Sequence, residues 1–181
     1  MKIKSLIVIC GRISSGKTYT ANLISKQFGF PIASFGIYLL NYCQNNNLPT
    51  DRKTLQDVGK NLVRTNPEQF SKDVINHFIE NKYSIIIEGV RHKTIFEILN
   101  GLSDYCISIF VDAPQKKRYE RYISRNKETD KLKTYNQFIA FDNHPVELEI
   151  ESLKSLCNIN VDSTTIYSPE LIDFLSENLK N

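Results

Sequence analysis

The apolar positions of this chain fall into five short runs set apart by segments of helical period. The runs are Ser5 to Cys10, Pro31 to Phe35, Tyr83 to Glu88, Tyr105 to Asp112 and a weaker Cys157 to Asp162. They are β-branched and continuous rather than alternating, the pattern of strands covered on both faces of a parallel sheet. Helical spacing of apolar residues marks Tyr19 to Phe28, Gly36 to Asn45, Arg52 to Arg64, Pro67 to Ile79 and Thr94 to Leu102. It continues over Gln115 to Ser124, Tyr135 to Asp142 and Val146 to Leu156. Ser168-Pro169-Glu170 supplies a cap and a first-position proline for a last helix. Strands alternating with helices predict an α/β fold, a three-layer α/β/α arrangement around a mostly parallel five-stranded sheet. Asn45 to Pro49 and Arg125 to Lys133 are polar and read as loops. At 181 residues the chain is read as a single domain, 1–181.

The turn between the first strand and the first helix carries the most specific signal. Gly11-Arg12-Ile13-Ser14-Ser15-Gly16-Lys17-Thr18 is a complete G-x-x-x-x-G-K-[ST] P-loop in the required strand–loop–helix context. Backbone N–H groups of such a loop form an anion nest, and the following helix adds its positive end. Lys17 can reach outer phosphates, and the Thr18 hydroxyl can ligate Mg²⁺. The expected nucleotide-binding set is Gly11, Ser14, Ser15, Gly16, Lys17, Thr18 and Tyr19, with ATP and Mg²⁺ as cofactors.

Bulk properties narrow the surroundings. The net charge of +3 is too small to imply a nucleic-acid partner. No apolar run reaches the ~20 residues of a membrane helix, and the run after Lys2 and Lys4 leads into the P-loop without a cleavage site, so no signal peptide is expected. Cys10, Cys43, Cys106 and Cys157 form no C-x-x-C pair and read as reduced thiols of a cytoplasmic protein. His77, His92 and His144 show no metal-binding spacing, and His92 reads as an exposed loop residue. The oligomeric state is left open.

Two further features bear on chemistry. Ile85-Ile86-Ile87-Glu88-Gly89-Val90-Arg91 ends a strand in a carboxylate beside the P-loop, where Glu88 can hold Mg²⁺ or orient Thr18. Arg91 then offers a planar fork to a phosphate. Arg118, Arg121 and Arg125 share one helix face, and three converging guanidinium groups would neutralise a transferring phosphoryl group. No N/T-K-x-D base-reading motif of a GTPase is present.

With these residues in place, the chain resembles the P-loop nucleoside monophosphate kinase family, in the broad sense that includes adenylate kinase and dephospho-CoA kinase. It looks closest to small uncharacterised archaeal and phage members. Ile87 to Arg91 is similar to the family's strand-D-G-x-(P)-R segment, and Arg121-x-x-x-Arg125 resembles the arginine pair opening the lid. Arg52 to Gly59 is similar to an R-x-x-L-Q-x-x-G element of phage deoxynucleoside monophosphate kinases. Lys131 to Glu149 resembles the stretch after the lid, including Phe138 and Asp142. The resemblance implies phosphoryl transfer from ATP to a small phosphorylated acceptor. It implies catalytic roles for Lys17, Arg91, Arg121 and Arg125, a metal site at Thr18 and Glu88, and a donor-base border at Asp162. It also implies an acceptor-binding helical region at about 36–80 and a lid at about 121–134. One departure stands out: where the family has S-T-G-D-x-L-R, this chain has Ile37 and Leu40 at the acidic and arginine positions. Arg52, Arg64 or Arg91 are the candidates to hold the acceptor phosphate instead. A nucleotide-binding regulator without turnover, and a kinase with a different acceptor, are the alternative readings.

Overall fold

In a computed structural model, residues 3–78, 83–125, 134–165 and 169–179 are described. Five strands, β1 (Ile3–Cys10), β2 (Ile32–Ser34), β3 (Ser84–Val90), β4 (Ser103–Asp112) and β5 (Ile159–Asp162), form one sheet in the order β2-β3-β1-β4-β5. Every pairing is parallel. Around the sheet lie α1 (Lys17–Phe28), α2 (Phe35–Asn45), α3 (Arg52–Thr65), α4 (Pro67–Phe78) and α5 (Lys93–Gly101). After them come α6 (Gln115–Ser124), α7 (Tyr135–Asp142), α8 (Pro145–Glu151) and α9 (Pro169–Asn178).

Strand alternation builds the three layers. Leu6, Val8 and Cys10 of β1 join Ile85 and Ile87 of β3 against Val74 of α4, Phe96 and Leu99 of α5 and Ile150 of α8. Ile7, Ile9 and Ile86 face the opposite way, against Ala21 and Ile24 of α1 and Leu171 and Leu175 of α9. This two-sided burial is why the strands read as continuous apolar runs. Ile13, Tyr122 and Phe138 form a smaller cluster under the P-loop.

The elements agree with the sequence reading apart from their ends. Phe35 leaves β2 and opens α2, because the Ser34 hydroxyl caps that helix, accepting from the Ile37 amide at 3.4 Å. The helix expected from Val146 to Leu156 stops at Glu151 and continues as turns. Cys157 and Asn158 precede β5 rather than joining it. The expected Ser168 cap, Ile79 and the Asn126 to Lys133 part of the lid lie outside the described residues. No helix among the described residues is long and apolar enough to cross a membrane.

Topology places the site. β1 is central, flanked by β3 and β4, and its C-terminal end feeds the P-loop. Ligands of open α/β sheets bind outside the carboxyl ends of the strands. A bulge sharpens this geometry: Ile9 pairs with Glu88, but Cys10 pairs with Val90, skipping Gly89. Gly89 has φ +85°, a backbone conformation that a side chain would strain.

Candidate active site

The P-loop is shaped by two glycines in conformations that side chains disfavour. Gly11 has φ +140°, and a Cβ there would lie 2.2 Å from the Val111 carbonyl oxygen. Gly16, at φ +111°, is the N-cap of α1 and offers no capping side chain, so the first turn of that helix presents its amides to a ligand. Ser14 adopts φ 59°. The hydroxyls of Ser14 and Ser15 are buried without a hydrogen-bond partner among the described residues. Uncapped amides and orphaned hydroxyls around one loop fit the oxygens of a polyphosphate.

Lys17 is folded back onto its own loop. Its Nζ donates to the carbonyl oxygens of Gly11 and Arg12, each at 2.7 Å. Burial, helped by the nearby Arg91 charge, brings its pKa from 10.5 down to about 7. Beside it the Thr18 hydroxyl donates to Glu88 Oε2 at 3.1 Å, and the Ser34 hydroxyl donates to Oε1 at 2.7 Å. Glu88 is therefore fixed at the strand end by two hydroxyls. Its carboxylate and the Thr18 oxygen are hard donors, suited to a cation that brings its own waters and phosphate oxygens. Among the described residues no group of three or more His, Cys, Asp or Glu side chains could hold a metal ion by itself. The Thr18–Glu88 pair could hold a cation such as Mg²⁺ only with further oxygen ligands from a nucleotide and water.

Two buried carboxylates, from α7 and α8, clamp this loop. Asp142 pairs with Arg118, whose Nη2 donates at 2.9 Å, and with Arg12 through Nε at 3.2 Å. Gln115 donates to it at 3.1 Å. Glu147 is the second. Its Oε2 accepts from the Ile13 amide at 2.8 Å, and its Oε1 accepts from Arg52 Nη2 at 3.1 Å and from Arg91 Nη1. The Arg91, Arg52 and Lys17 charges hold the Glu147 pKa at about 2, overcoming the opposing effect of burial, the largest of its influences. Glu147 joins the P-loop backbone to two arginines from distant elements.

Those arginines open onto a cleft of about 80 Å³ between α2, α3 and the end of β3. Its walls include Phe35, Leu39, Phe70 and Ile95, with Gln56 the uncharged polar side chain on the α3 side. Gly59 lets α2 and α3 approach: a Cβ there would meet Leu39 Cδ1 at 3.1 Å. Ile37 is half-exposed on α2 and Leu40 half-buried; both are apolar, and neither is among the residues lining the cleft.

The structure brings Lys17, Thr18, Glu88, Arg91 and Arg52 together but splits the expected arginine trio. Arg118 is buried against Asp142 and the Ala113 carbonyl, a structural tie rather than a free phosphate ligand. Arg121 donates to the Ser15 carbonyl at 3.0 Å and to the Ser163 hydroxyl and carbonyl at 2.7 and 2.6 Å. It lies between the P-loop and the turn after β5. Arg125 stacks its guanidinium over Tyr122 at 5.0 Å. The helix face holds the three in a row, but their partners differ because α6 packs between the P-loop and α7. Tyr19 is 61% exposed on the first turn of α1. Asp162 forms a turn, accepting from the Thr164 amide at 2.8 Å and from its hydroxyl at 2.7 Å. Arg64 is exposed and bonded to Asn61, away from the cleft. His92 is not exposed: it precedes α5 with its ring 2.8 Å from Glu149 Oε2. All four cysteines are free thiols.

A five-stranded parallel sheet with helices on both faces and a P-loop at its central strand defines a P-loop protein of the α/β class. Similar folds include a protein of Chloroflexus aurantiacus, with a TM-score of 0.59 at 16% identity over 99% of this chain and 98% of that one. Shikimate kinase from Aquifex aeolicus is similar at a TM-score of 0.56 and 15% identity, covering 97% of this chain and 96% of that one. The chain belongs to the AAA_18 family, described as an AAA domain, whose profile matches residues 7–148. UPF0200 protein PAE1629 of Pyrobaculum aerophilum is 24% identical over 170 residues, 92% of each chain.

Proposed function

We propose that this protein transfers the γ-phosphoryl group of ATP to the phosphate of a nucleoside or deoxynucleoside monophosphate. The observation that carries this reading is the Glu147 bridge, which holds two arginines of the apolar cleft one carboxylate away from the P-loop backbone. A donor phosphate site and an anion-holding site therefore adjoin, as an in-line transfer between two phosphates requires. The chain's membership of a P-loop family with kinase-fold neighbours supports ATP as the donor.

In this reading Lys17 leaves the Gly11 and Arg12 carbonyls and turns to the phosphates, whose charge restores its proton. Arg52 and Arg91 orient the acceptor phosphate. An acceptor phosphate oxygen attacks the γ-phosphorus, the bond to the β–γ bridging oxygen breaks, and ADP leaves with that electron pair. Bound at Thr18 and Glu88, Mg²⁺ would neutralise charge developing on the phosphates. A monophosphate dianion needs no general base, so an apolar Ile37 is compatible with turnover. Arg121, between Ser15 and Ser163, borders the donor side, and Arg125 opens the proposed lid. The whole chain is taken to act as one kinase domain, with 36–80 as its acceptor region.

The test is ADP formation from Mg-ATP in the presence of each common ribo- and deoxyribonucleoside monophosphate, with shikimate as a control acceptor. A monophosphate should stimulate ADP release at least tenfold, and Lys17→Ala should abolish the effect. Stimulation by shikimate alone would move the reading to another small-molecule kinase. ATP binding without stimulation by any acceptor would favour a nucleotide-binding regulator.

A further inference from the structure

Gln56 is buried, yet neither its amide nitrogen nor its amide oxygen has a hydrogen-bond partner among the described residues. Leaving both ends of a carboxamide unsatisfied in an interior is costly, and such a group calls for a partner that the protein itself does not supply. The side chain lines the cleft, opposite Phe35, Phe70 and Ile95. An apolar chamber with a few convergent polar groups, here Gln56 together with Arg52, Arg91 and His92, is the usual build of a site that orients a ligand.

We infer that Gln56 reads the base of the acceptor, pairing its coplanar N–H and C=O with an adjacent acceptor and donor on a nucleobase edge. This inference rests on the proposed transfer to a monophosphate and names the part of the acceptor that the chain recognises. Helix geometry supports it. Arg52 and Gln56 lie four residues apart on α3, on one face and about 6 Å apart along the axis. Arg52 reaches Glu147 at the phosphate end of the cleft, so Gln56 stands one helical turn away, where a sugar-linked base would lie. Phe35 and Phe70 meet edge to face at 5.2 Å and give the chamber an aromatic wall for a ring.

The experiment is direct binding, by calorimetry on the full chain, of the common nucleoside monophosphates and of ribose 5-phosphate as a baseless control. At least one monophosphate should bind about 10- to 100-fold more tightly than ribose 5-phosphate, the range expected for two hydrogen bonds made in a buried site. Gln56→Leu should remove that advantage and leave ribose 5-phosphate affinity within about twofold. Gln56→Glu keeps the shape but loses the donor; it should remove the preference as well, and it carries the test if the leucine variant fails to fold. A base preference that survives in both variants overturns the inference, as does binding of every monophosphate no tighter than ribose 5-phosphate. Base-selective binding without turnover would uphold the role of Gln56 while refuting the kinase reading.

Discussion

Glu147→Gln isolates one charge at the centre of the site. Glutamine matches the shape of the protonated acid and still offers an oxygen to the Ile13 amide, so the variant removes the negative charge from between Arg52 and Arg91. The carboxyl pKa is about 2 in the folded protein against a usual 4.5. That difference corresponds to about 3 kcal/mol of stability at neutral pH. The figure agrees with the ~3–5 kcal/mol cost of breaking a buried ion pair from one side. The sign follows from the depressed pKa: the contribution is complete above pH 4.5 and lost as pH falls toward 2. The gap between wild type and variant should be about 3 kcal/mol at pH 7 and should shrink to roughly half of that at pH 3. At pH 7 the melting temperature should drop by about 10 °C for a chain of this length. Urea unfolding of both proteins at pH 7, 5, 4 and 3 measures the gap. A gap below about 1 kcal/mol at pH 7, or one that does not narrow with acid, would refute the reasoning.

The other residues give separable outcomes. Glu88→Gln keeps the Ser34 and Thr18 contacts in shape, so the melting temperature should hold while the Mg²⁺ concentration for half-maximal ADP formation rises about tenfold or more; an unchanged Mg²⁺ requirement would remove Glu88 from the metal site. Arg118→Met leaves Asp142 buried without its main partner and should cost about 3–5 kcal/mol in urea unfolding, with nucleotide affinity per folded molecule unchanged. Loss of affinity without loss of stability would restore Arg118 to the phosphate site. Gly11→Ala drives a Cβ to 2.2 Å from the Val111 carbonyl, so ATP binding by calorimetry should disappear. Wild-type affinity in that variant would mean the loop can relax freely.

What the sequence disclosed follows from how far each interaction reaches along the chain. The P-loop spans eight contiguous residues whose spacing alone states its chemistry, and β1 before it and α1 after it are local patterns. Glu88 was legible because it ends a strand next in space to β1. Glu147 was not, for its partners Ile13, Arg52 and Arg91 lie 134, 95 and 56 residues away. In sequence it is one acid among several on an amphipathic helix. Arg118 was misread for the complementary reason: helical spacing aligned it with Arg121, but the carboxylate that claims it comes from α7. Gln56 sat in a recognisable R-x-x-L-Q-x-x-G element, yet only packing shows its amide buried without a partner. Pro145 and the His144 cap mark where α8 starts, a local signal that brackets Glu147 without stating what it pairs with.

Phosphorus NMR of the full chain with Mg-ATP and the best-binding monophosphate tests the central claim most directly. Transfer between the two adjoining sites should give ADP and the matching nucleoside diphosphate in equal amounts, with little inorganic phosphate, and Lys17→Ala should give neither product. ADP accompanied only by inorganic phosphate, or product formation unchanged by Lys17→Ala, would contradict it.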